Sequence, residues 1–393
     1  MGAGASAAIK TLLEADSAGG AQWTDSEWPA TDAALGDLVA AKFAGAGGEP
    51  PPSQGDPVDD DGAASTGSSV AWQWPEEFVD VSESGAPVLF EGDPAANDVL
   101  EGRLGDCFLL AAMSVIAASH PELIRRLFIR EALQPGAPVG VRLFVDGEWR
   151  IVLVDQRVPV GPTGRPLFGR ARQPNLMWVP LLEKAYAKLY GSYAAITGGN
   201  VSEALHDLTG CACLDFNVTS PATAKAIKEG GFWTDLHARA RDGSALIACA
   251  WCVPPEEEAA VASVSETKGL LVNHAYSVMD LVEHGGKKLV KVRNPWGFFE
   301  WEGDYSAESK LWTAELRKVC DYSAESADED DGVFWMSYKG FLGSFNRVYL
   351  CLHDSGPLPP PLPSTAAMLE LEPEDAIKAA AAEIQVSGQG EGE

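Results

Sequence analysis

Basic residues are scarce in this sequence. Its 393 residues include 29 lysines and arginines against 57 aspartates and glutamates, which gives a formal net charge of −28. A chain with this balance presents no basic patch that would release counterions from phosphates, so its composition excludes nucleic-acid binding. The same deficit excludes a polybasic membrane-binding surface.

Long apolar runs and framework cysteines are also missing. No apolar stretch approaches the roughly 20 residues that a helix needs to span a bilayer, and no secretory signal follows Met1. The seven cysteines are odd in number and follow no disulfide-framework spacing, which predicts a reducing intracellular setting. Because 46% of the residues are apolar, we expect a largely globular protein, and the cysteine usage predicts a cytoplasmic one.

One targeting pattern is present at the start of the chain. Met1-Gly2-Ala-Gly-Ala-Ser6 fits N-myristoylation, which requires glycine at position 2 and serine or threonine at position 6. A single acyl chain gives marginal membrane binding, and Lys10 is the only basic residue nearby. An acylated Gly2 would therefore give reversible membrane association. The alternative is a start rich in small residues without this role.

Composition divides the chain into a globular part and three segments of low complexity. We expect disorder over residues 1–21, a flexible insertion over 44–69, and a Pro-rich, acidic tail over 355–393. The globular part, 22–354, changes character along its length. Its first half, about 70–211, has a helical bias, whereas its second half, about 212–354, has strand patterns. This order predicts an α+β fold with a cleft between two subdomains.

Hydrophobic periodicity places individual elements within these halves. Helices are predicted over 108–118, 122–132 and 178–189. Strands are predicted over 245–251, 270–281, 288–293 and 347–353.

Cys107 lies where a glycine turn becomes a long apolar helix. Gly105 permits the turn, Asp106 is a favourable N-cap, and Cys107 is then the first helical residue. The free N–H groups and the dipole at that end of a helix stabilise a thiolate. The apolar helix over 108–118 must be buried, which holds the sulfur at the boundary of the core. Cys107 is therefore either a nucleophile or a buried structural thiol.

His274 and Asn294 could complete a nucleophilic site with Cys107. A nucleophilic cysteine needs a base, and the base needs an orienting group. His274 lies in a strand pattern, and a hairpin turn at 285–286 would bring Asn294 to the same end of the neighbouring strand. Trp296 could then shield an Asn–His hydrogen bond from water. The alternative is a structural histidine beside an ordinary strand-end turn, and the presence of Cys107 weighs against it.

Three separated blocks of this sequence resemble the catalytic blocks of the calpain family. They are Gly102-Arg-Leu-Gly-Asp-Cys107-Phe-Leu-Leu-Ala-Ala, Gly269-Leu-Leu-Val-Asn-His274-Ala-Tyr-Ser-Val and Val292-Arg-Asn294-Pro-Trp-Gly-Phe-Phe-Glu300-Trp. The resemblance runs in consistent order from about residue 22 to 354. It implies a papain-like cysteine protease core with an α-rich first subdomain and a β-rich second subdomain.

The resemblance also implies roles for the site residues and a class of substrate. Cys107 would be the nucleophile, His274 the general base and acid, and Asn294 the orienting partner of His274. Trp296 would cover the pair. The implied activity is limited proteolysis of protein substrates inside the cell.

Glu101 departs from the family pattern. In the family, the residue six positions before the nucleophile is glutamine, whose side-chain N–H₂ completes the oxyanion hole with the backbone N–H of the cysteine. An ionised Glu101 has no donor and would repel the developing oxyanion. A buried, protonated Glu101 could donate its O–H, or the backbone N–H could act almost alone. The departure supports an alternative function, a catalytically impaired pseudoprotease that binds partners in its cleft.

Calcium is the cofactor that the resemblance implies, one site in each subdomain. The matching carboxylates are Asp98 at the first site and Glu300 and Asp331 at the second. Leu176, Ala307 and Val333 stand where further carboxylates are expected, and nearby acids that could substitute are Asp93, Glu308 and residues 328–330. Calcium takes roughly six to eight oxygens, so the eroded sites would bind weakly and calcium dependence stays open. No EF-hand loop pattern occurs, and we expect the regulatory domain of typical calpains to be missing.

Cys249-Ala-Trp-Cys252 is a further motif that could carry redox or metal chemistry. Strand alternation would put the two sulfurs on opposite faces, and no second Cys or His pair completes a zinc site. We interpret these cysteines as structural.

Overall fold

The structure, a computed structural model, describes residues 71–161, 163–323 and 331–353, together with Gly356 and Pro359. The predicted N-terminal segment 1–21 with Gly2, the insertion 44–69, and the tail 355–393 apart from those two residues lie outside the described residues.

Helices and strands alternate through this part of the chain. The helices are α1 (Pro75–Phe78), α2 (Val81–Ser84), α3 (Cys107–Ser119), α4 (Pro121–Leu127), α5 (Trp178–Leu189), α6 (Val201–Thr209), α7 (Pro221–Glu229), α8 (Gly231–Asp242), α9 (Pro255–Lys268), α10 (Ala314–Val319) and α11 (Tyr338–Ser344). Short 3₁₀ turns cover Ala96–Asp98 and Tyr193–Ile196. The strands are β1 (Ala71–Gln73), β2 (Val99–Leu100), β3 (Val139–Val145), β4 (Glu148–Val154), β5 (Val158–Val160), β6 (Arg170–Ala171), β7 (Cys213–Asn217), β8 (Ala245–Trp251), β9 (His274–His284), β10 (Lys287–Arg293), β11 (Val333–Ser337) and β12 (Arg347–Leu352).

The second half of the fold is a six-stranded antiparallel sheet. Its strand order is β11-β10-β9-β8-β12-β7. The β9–β10 hairpin closes through Gly285 and Gly286, whose φ angles of 55° and 75° belong to the type I′ turn that suits the twist of a hairpin. The register pairs Arg293 with Ser277, so β10 ends beside the start of β9. The hairpin therefore delivers the residue after Arg293 to the end of the sheet where β9 begins.

The strand predicted over 270–281 begins later than expected. Residues 270 and 271 lie outside regular structure, residues 272 and 273 form a turn, and Asn273 has a left-handed φ of 52°. A residue in this conformation cannot continue a strand, and asparagine tolerates it better than most. His274 is consequently the first residue of β9 rather than an interior one.

The first half is built around α3, which is buried from Phe108 to Ala117. This helix contacts α4 and α6 on its own side of the molecule and β8 and β9 of the sheet on the other. The Ser277 hydroxyl on β9 donates to the Ala111 carbonyl of α3 at 2.8 Å. The helix is thus shared between the two halves, and its N-terminal end opens where they meet.

The predicted helix over 122–132 is wrong in its second half. Helix α4 ends at Leu127, and Phe128 is extended, with φ −88° and ψ 138°. Phe128 forms an antiparallel bridge with Val141 and is fully buried. A cross-chain contact therefore overrides the local helical pattern.

The helical bias expected for the first half also misses a hairpin of two seven-residue strands, β3 and β4. Asp146 and Gly147 form its turn, with φ angles of 54° and 85°. An Asp-Gly pair between two apolar runs is a strong hairpin signal that the sequence does contain. The α+β fold class itself is confirmed. No helix in the described ranges is long and apolar enough to cross a membrane.

Candidate active site

Cys107 is the first residue of α3, as predicted, and its side chain is half-buried. Asp106 occupies the N-cap position and its carbonyl accepts from the Leu109 and Leu110 N–H groups at 2.8 and 3.2 Å. Its side chain makes no capping hydrogen bond, however, so that part of the prediction is wrong. As the first residue of α3, Cys107 has a backbone N–H that lies outside the intrahelical hydrogen-bond ladder.

The Asn294 side chain is fully buried and all of its amide groups are engaged. Its Oδ1 accepts from His274 Nε2 at 2.8 Å and from the Trp296 backbone N–H at 3.1 Å. Its Nδ2 donates to the carbonyls of Phe298 and Phe299 at 2.9 and 3.1 Å. The carbonyls of Phe298 and Phe299 can accept a hydrogen bond from the side-chain nitrogen of Asn294 but not from its side-chain oxygen, so these contacts show which atom is Nδ2 and which is Oδ1. His274 must therefore carry its proton on Nε2, which leaves a lone pair on Nδ1.

His274 is held by its neighbours on the sheet. It pairs with Trp251 of β8 in the strand register, and its side chain is 6% exposed. The Trp296 ring lies 5.4 Å from the imidazole, edge to face, and Tyr276 contacts the ring at 4.9 Å from another side. Aromatic contacts of this kind exclude water from the Asn–His hydrogen bond, which strengthens it. Trp296 thus lies where the sequence places a cover.

Cys107, His274 and Glu101 converge on one point. A sulfur, a ring nitrogen and a carboxylate oxygen from these three residues all lie within 4.8 Å of one another. Since His274 Nε2 faces Asn294, the ring nitrogen toward Cys107 is Nδ1. The structure therefore brings together residues that are 167 positions apart in the sequence.

Glu101 is placed by backbone contacts directly beside this convergence. It follows β2, its N–H donates to the Pro295 carbonyl at 2.8 Å, and its own carbonyl accepts from Arg170 at 3.4 Å. The residue is 8% exposed. Its carboxyl group consequently lies beside Cys107 and His274 in a setting with little water.

Comparison with known sequences places this arrangement in a family. The family model for the calpain family cysteine protease matches residues 23–352. The chain belongs to the calpain family. The papain-like core inferred from the sequence blocks is thereby confirmed.

Individual calpains match most of this chain. The chain is 36% identical over 282 residues to the calpain-type cysteine protease ADL1 of Oryza sativa subsp. japonica, covering 71% of this chain and 12% of the relative. It is 34% identical over 346 residues to calpain-type cysteine protease DEK1 of Arabidopsis thaliana, covering 88% and 14%. It is 34% identical over 291 residues to calpain-9 of Homo sapiens, covering 71% and 39%. The chain spans well under half the length of these relatives.

Arg293 joins the two halves of the calpain core next to the site. It is completely buried and donates to the Val99 carbonyl at 2.6 Å, to Ser114 Oγ at 3.0 Å and to Asn97 Oδ1 at 3.3 Å. Burial lowers the pKa of this guanidinium to about 10, which keeps it charged at neutral pH. Since Arg293 immediately precedes Asn294, these bonds hold the end of β10 against the first half.

A second contact between the halves is a hydrogen bond between side chains. Asn97 Nδ2 donates to Asp331 Oδ2 at 3.1 Å. The halves are therefore joined directly by protein groups at this point.

The first predicted calcium site is occupied by protein donors. The Asp98 carboxylate accepts from the Trp178 indole at 3.3 Å and from a backbone N–H at 2.9 Å. Leu176, in place of the second acid, is buried in the core. Asp93, a candidate substitute, pairs instead with Arg125 at 3.4 Å.

At the second predicted calcium site the carboxylates also accept hydrogen bonds from the protein. Glu300 accepts from the Gly332 N–H at 3.0 Å, and Asp331 accepts from the Val333 N–H at 2.9 Å. The acids at 328–330 lie outside the described residues. Within the described ranges, no three acidic, histidine or cysteine side chains gather at either site. The carboxylates at both predicted sites therefore accept hydrogen bonds from the protein itself.

A pair of buried carboxyl groups lies beneath the active site. Asp106 is completely buried, and Glu183 of α5 is 1% exposed. Burial, the charge of Asp106 and a hydrogen bond between the two carboxyls raise the pKa of Glu183 well above its usual 4.5. Glu183 therefore keeps its proton to higher pH than a free carboxyl does, while its Oε1 accepts from the Gly169 N–H at 2.7 Å. This pair explains why Asp106 does not cap the helix.

Sequence reasoning missed the role of Glu183. The residue lies in the segment Leu181-Leu-Glu-Lys-Ala, where a charged side chain falls on the buried face of an amphipathic helix. A buried acid requires a partner or a proton. That signal was available, but the identity of the partner depends on a contact between α5 and the turn before α3.

Replacing Glu183 by glutamine is expected to make folding stability less dependent on pH. The unfolded carboxyl ionises near 4.5 whereas the folded one keeps its proton to higher pH. Its stabilising contribution is therefore complete below the unfolded pKa and is lost as pH rises through the folded one. Glutamine can still accept from Gly169 and donate to Asp106 without any proton to lose.

Urea unfolding at about pH 5 and about pH 8 checks this, with Glu183→Ala for comparison. The alanine variant should lose about 1–3 kcal/mol, because Asp106 and the Gly169 N–H are left unpaired. Equal pH dependence in the native chain and the glutamine variant would contradict the raised pKa of Glu183.

Proposed function

We propose that this chain is a calpain-type cysteine endopeptidase that makes limited cuts in proteins through Cys107, His274 and Asn294. The observation that carries the proposal is the fully hydrogen-bonded side-chain amide of Asn294. It directs the proton of His274 to Nε2, and the Nδ1 lone pair of His274 then faces Cys107. An imidazole prepared in this way can accept the thiol proton. Family membership supports the same assignment.

The proposed reaction follows from these positions. His274 Nδ1 takes the proton of Cys107, and the thiolate attacks the carbonyl carbon of the scissile peptide bond. The Cys107 backbone N–H, one of the first N–H groups of α3, donates to the oxyanion. The imidazolium then protonates the leaving amine, which leaves a thioester on Cys107. A water molecule deprotonated by His274 hydrolyses the thioester and restores the thiol.

Cleavage of an unstructured protein tests this function. Incubation with casein should give a limited set of fragments, and Cys107→Ser should give none. Cys252→Ser is a matched control, because that thiol is also half-buried but lies outside the site, and it should cleave as the native chain does. Fragments that persist in Cys107→Ser would overturn the proposal.

The second candidate is a pseudoprotease that binds partners in the cleft, and Glu101 is the observation that favours it. A carboxylate at the oxyanion position opposes the charge that develops during attack. Under this alternative, the native chain would bind casein saturably without cleaving it, and Glu101→Gln would gain cleavage because the opposing charge is removed. Cleavage by the native chain would exclude the alternative.

We also propose that the core is assembled without calcium. The Arg293 contacts and the Asn97–Asp331 bond already join the halves, and the carboxylates of the predicted sites accept hydrogen bonds from the protein. A calcium chelator is therefore expected to change peptidase activity by less than about twofold, because each protein hydrogen bond between the halves already contributes about 0.5–1.5 kcal/mol to their assembly. A tenfold loss on chelation that added calcium restores would contradict this.

For location, the cysteine usage supports a reducing, cytoplasmic setting, and the Gly2–Ser6 pattern supports reversible membrane association through an acylated Gly2. In cells, Gly2→Ala should leave the membrane fraction if this is correct. Equal membrane association of the variant and the native chain would refute the role of Gly2.

A further inference from the structure

We infer that Glu101, Cys107 and His274 form a binding site for zinc that blocks the nucleophile. The binding part concerns only the geometry and chemistry of three side chains. The inhibitory part rests on the proposed peptidase function.

The geometry suits a small tetrahedral ion. The three ligand atoms lie within 4.8 Å of one another, and this is the one such group of acidic, histidine and cysteine side chains among the residues that the structure describes. Zinc bonds of about 2.0–2.3 Å place tetrahedral ligands about 3.3–3.8 Å apart. The atoms therefore need to close by at most about 1.5 Å, which side-chain rotation of Glu101 and Cys107 can supply.

The ligand chemistry selects zinc over calcium or magnesium. A thiolate and an imidazole are ligands for borderline-soft ions, whereas calcium and magnesium require oxygen. Glu101 supplies the third, anionic ligand. The glutamine of the family would offer a neutral amide there, so the site depends on the residue at which this chain departs from the pattern.

Asn294 prepares His274 for a metal as well as for a proton. Zinc-bound histidines almost always donate their other ring N–H to a fixed acceptor, which sets the ring orientation. The bond from His274 Nε2 to Asn294 Oδ1 is such a contact, at 2.8 Å. The Nδ1 lone pair then faces Cys107 and Glu101.

Charge also favours a divalent cation at this point. Glu101 and a Cys107 thiolate place two negative charges in a site with little water, and Asp106 lies beneath it, completely buried. Zinc would neutralise the first two, and its binding would release the thiol proton. Half-burial of Cys107 leaves the fourth position of the ion open to water. A thiolate held by zinc cannot attack a peptide carbonyl.

Titration of the reduced native chain tests binding without reference to catalysis. Calorimetry with zinc should show one site, and cobalt should give thiolate-to-metal charge-transfer absorption. Glu101→Gln, Cys107→Ser and His274→Ala should each weaken zinc binding at least about tenfold, and Cys107→Ser should abolish the cobalt absorption. The matched controls are Cys252→Ser and Glu302→Gln, a half-buried thiol and an exposed acid outside the site, and they should bind as the native chain does.

Peptidase assays test the inhibitory part. Zinc should inhibit the native chain at concentrations at least about tenfold lower than Glu101→Gln, and a chelator should reverse the inhibition. Unchanged zinc affinity in Glu101→Gln, or loss of the cobalt absorption in Cys252→Ser but not in Cys107→Ser, would overturn the site. If the chain binds zinc as described but cleaves nothing in the absence of zinc, the peptidase function is refuted and the metal site is still supported.

Discussion

Replacing His274 by alanine is expected to lower kcat/KM for peptide hydrolysis by a factor of about 10⁴–10⁶. Without the imidazole, no group takes the thiol proton of Cys107 and none protonates the leaving amine. Asn294 would also lose one of the two hydrogen bonds to its Oδ1 inside a completely buried site. Hydrolysis of a fluorogenic peptide measures the loss.

The control for this change is His284→Ala. His284 lies at the other end of the same strand and pairs with Glu315 at 2.9 Å on the surface, so its removal should leave turnover unchanged. The double variant Cys107→Ser, His274→Ala should be no slower than either single variant, because residues that act in one step are not additive. Retention of more than a hundredth of the native rate in His274→Ala would contradict its role as the base.

Replacing Glu101 by glutamine is expected to raise kcat by a factor of about 10²–10³, since this is the usual effect of one oxyanion-hole donor. The side chain lies beside Cys107 and His274 with 8% exposure. Glutamine has the same shape but presents an N–H donor where the carboxylate presents charge. Because the gain belongs to the transition state, KM should change little.

Steady-state kinetics of the two proteins across pH distinguish the two roles that Glu101 could have. Glu302→Gln, which changes an exposed acid, controls for net charge. A fall in kcat for Glu101→Gln would mean that a protonated Glu101 donates to the oxyanion in the native chain. In that case the native rate, but not the variant's, would decline as rising pH ionises the carboxyl.

Much of the candidate site could be predicted because its parts depend on local rules. An apolar run behind a glycine turn predicts α3 and places Cys107 at its start. A Gly-Gly turn fixes the register of a hairpin, so His274 and Asn294 reach the same end of the sheet. The family resemblance then supplied the roles, since spacing alone could not connect Cys107 with a hairpin that begins 167 residues later.

The remainder depends on contacts between distant segments. Phe128 leaves its helix to bridge β3, and Asp106 turns from the helix end toward Glu183 on α5. In the sequence Arg293 looks like an ordinary last residue of β10, yet its guanidinium extends to the first half and donates three hydrogen bonds there. No periodicity within a single element encodes such partners.

Reaction with a peptidyl epoxide, followed by mass spectrometry of the folded chain, tests the central claim most directly. An epoxide records thiolate nucleophilicity at one sulfur whether or not a good substrate is known. The account predicts a single adduct on Cys107, no adduct on the buried cysteines, and at least about a hundredfold slower labelling in His274→Ala. Absence of an adduct on Cys107, or equal labelling in His274→Ala, would contradict the account.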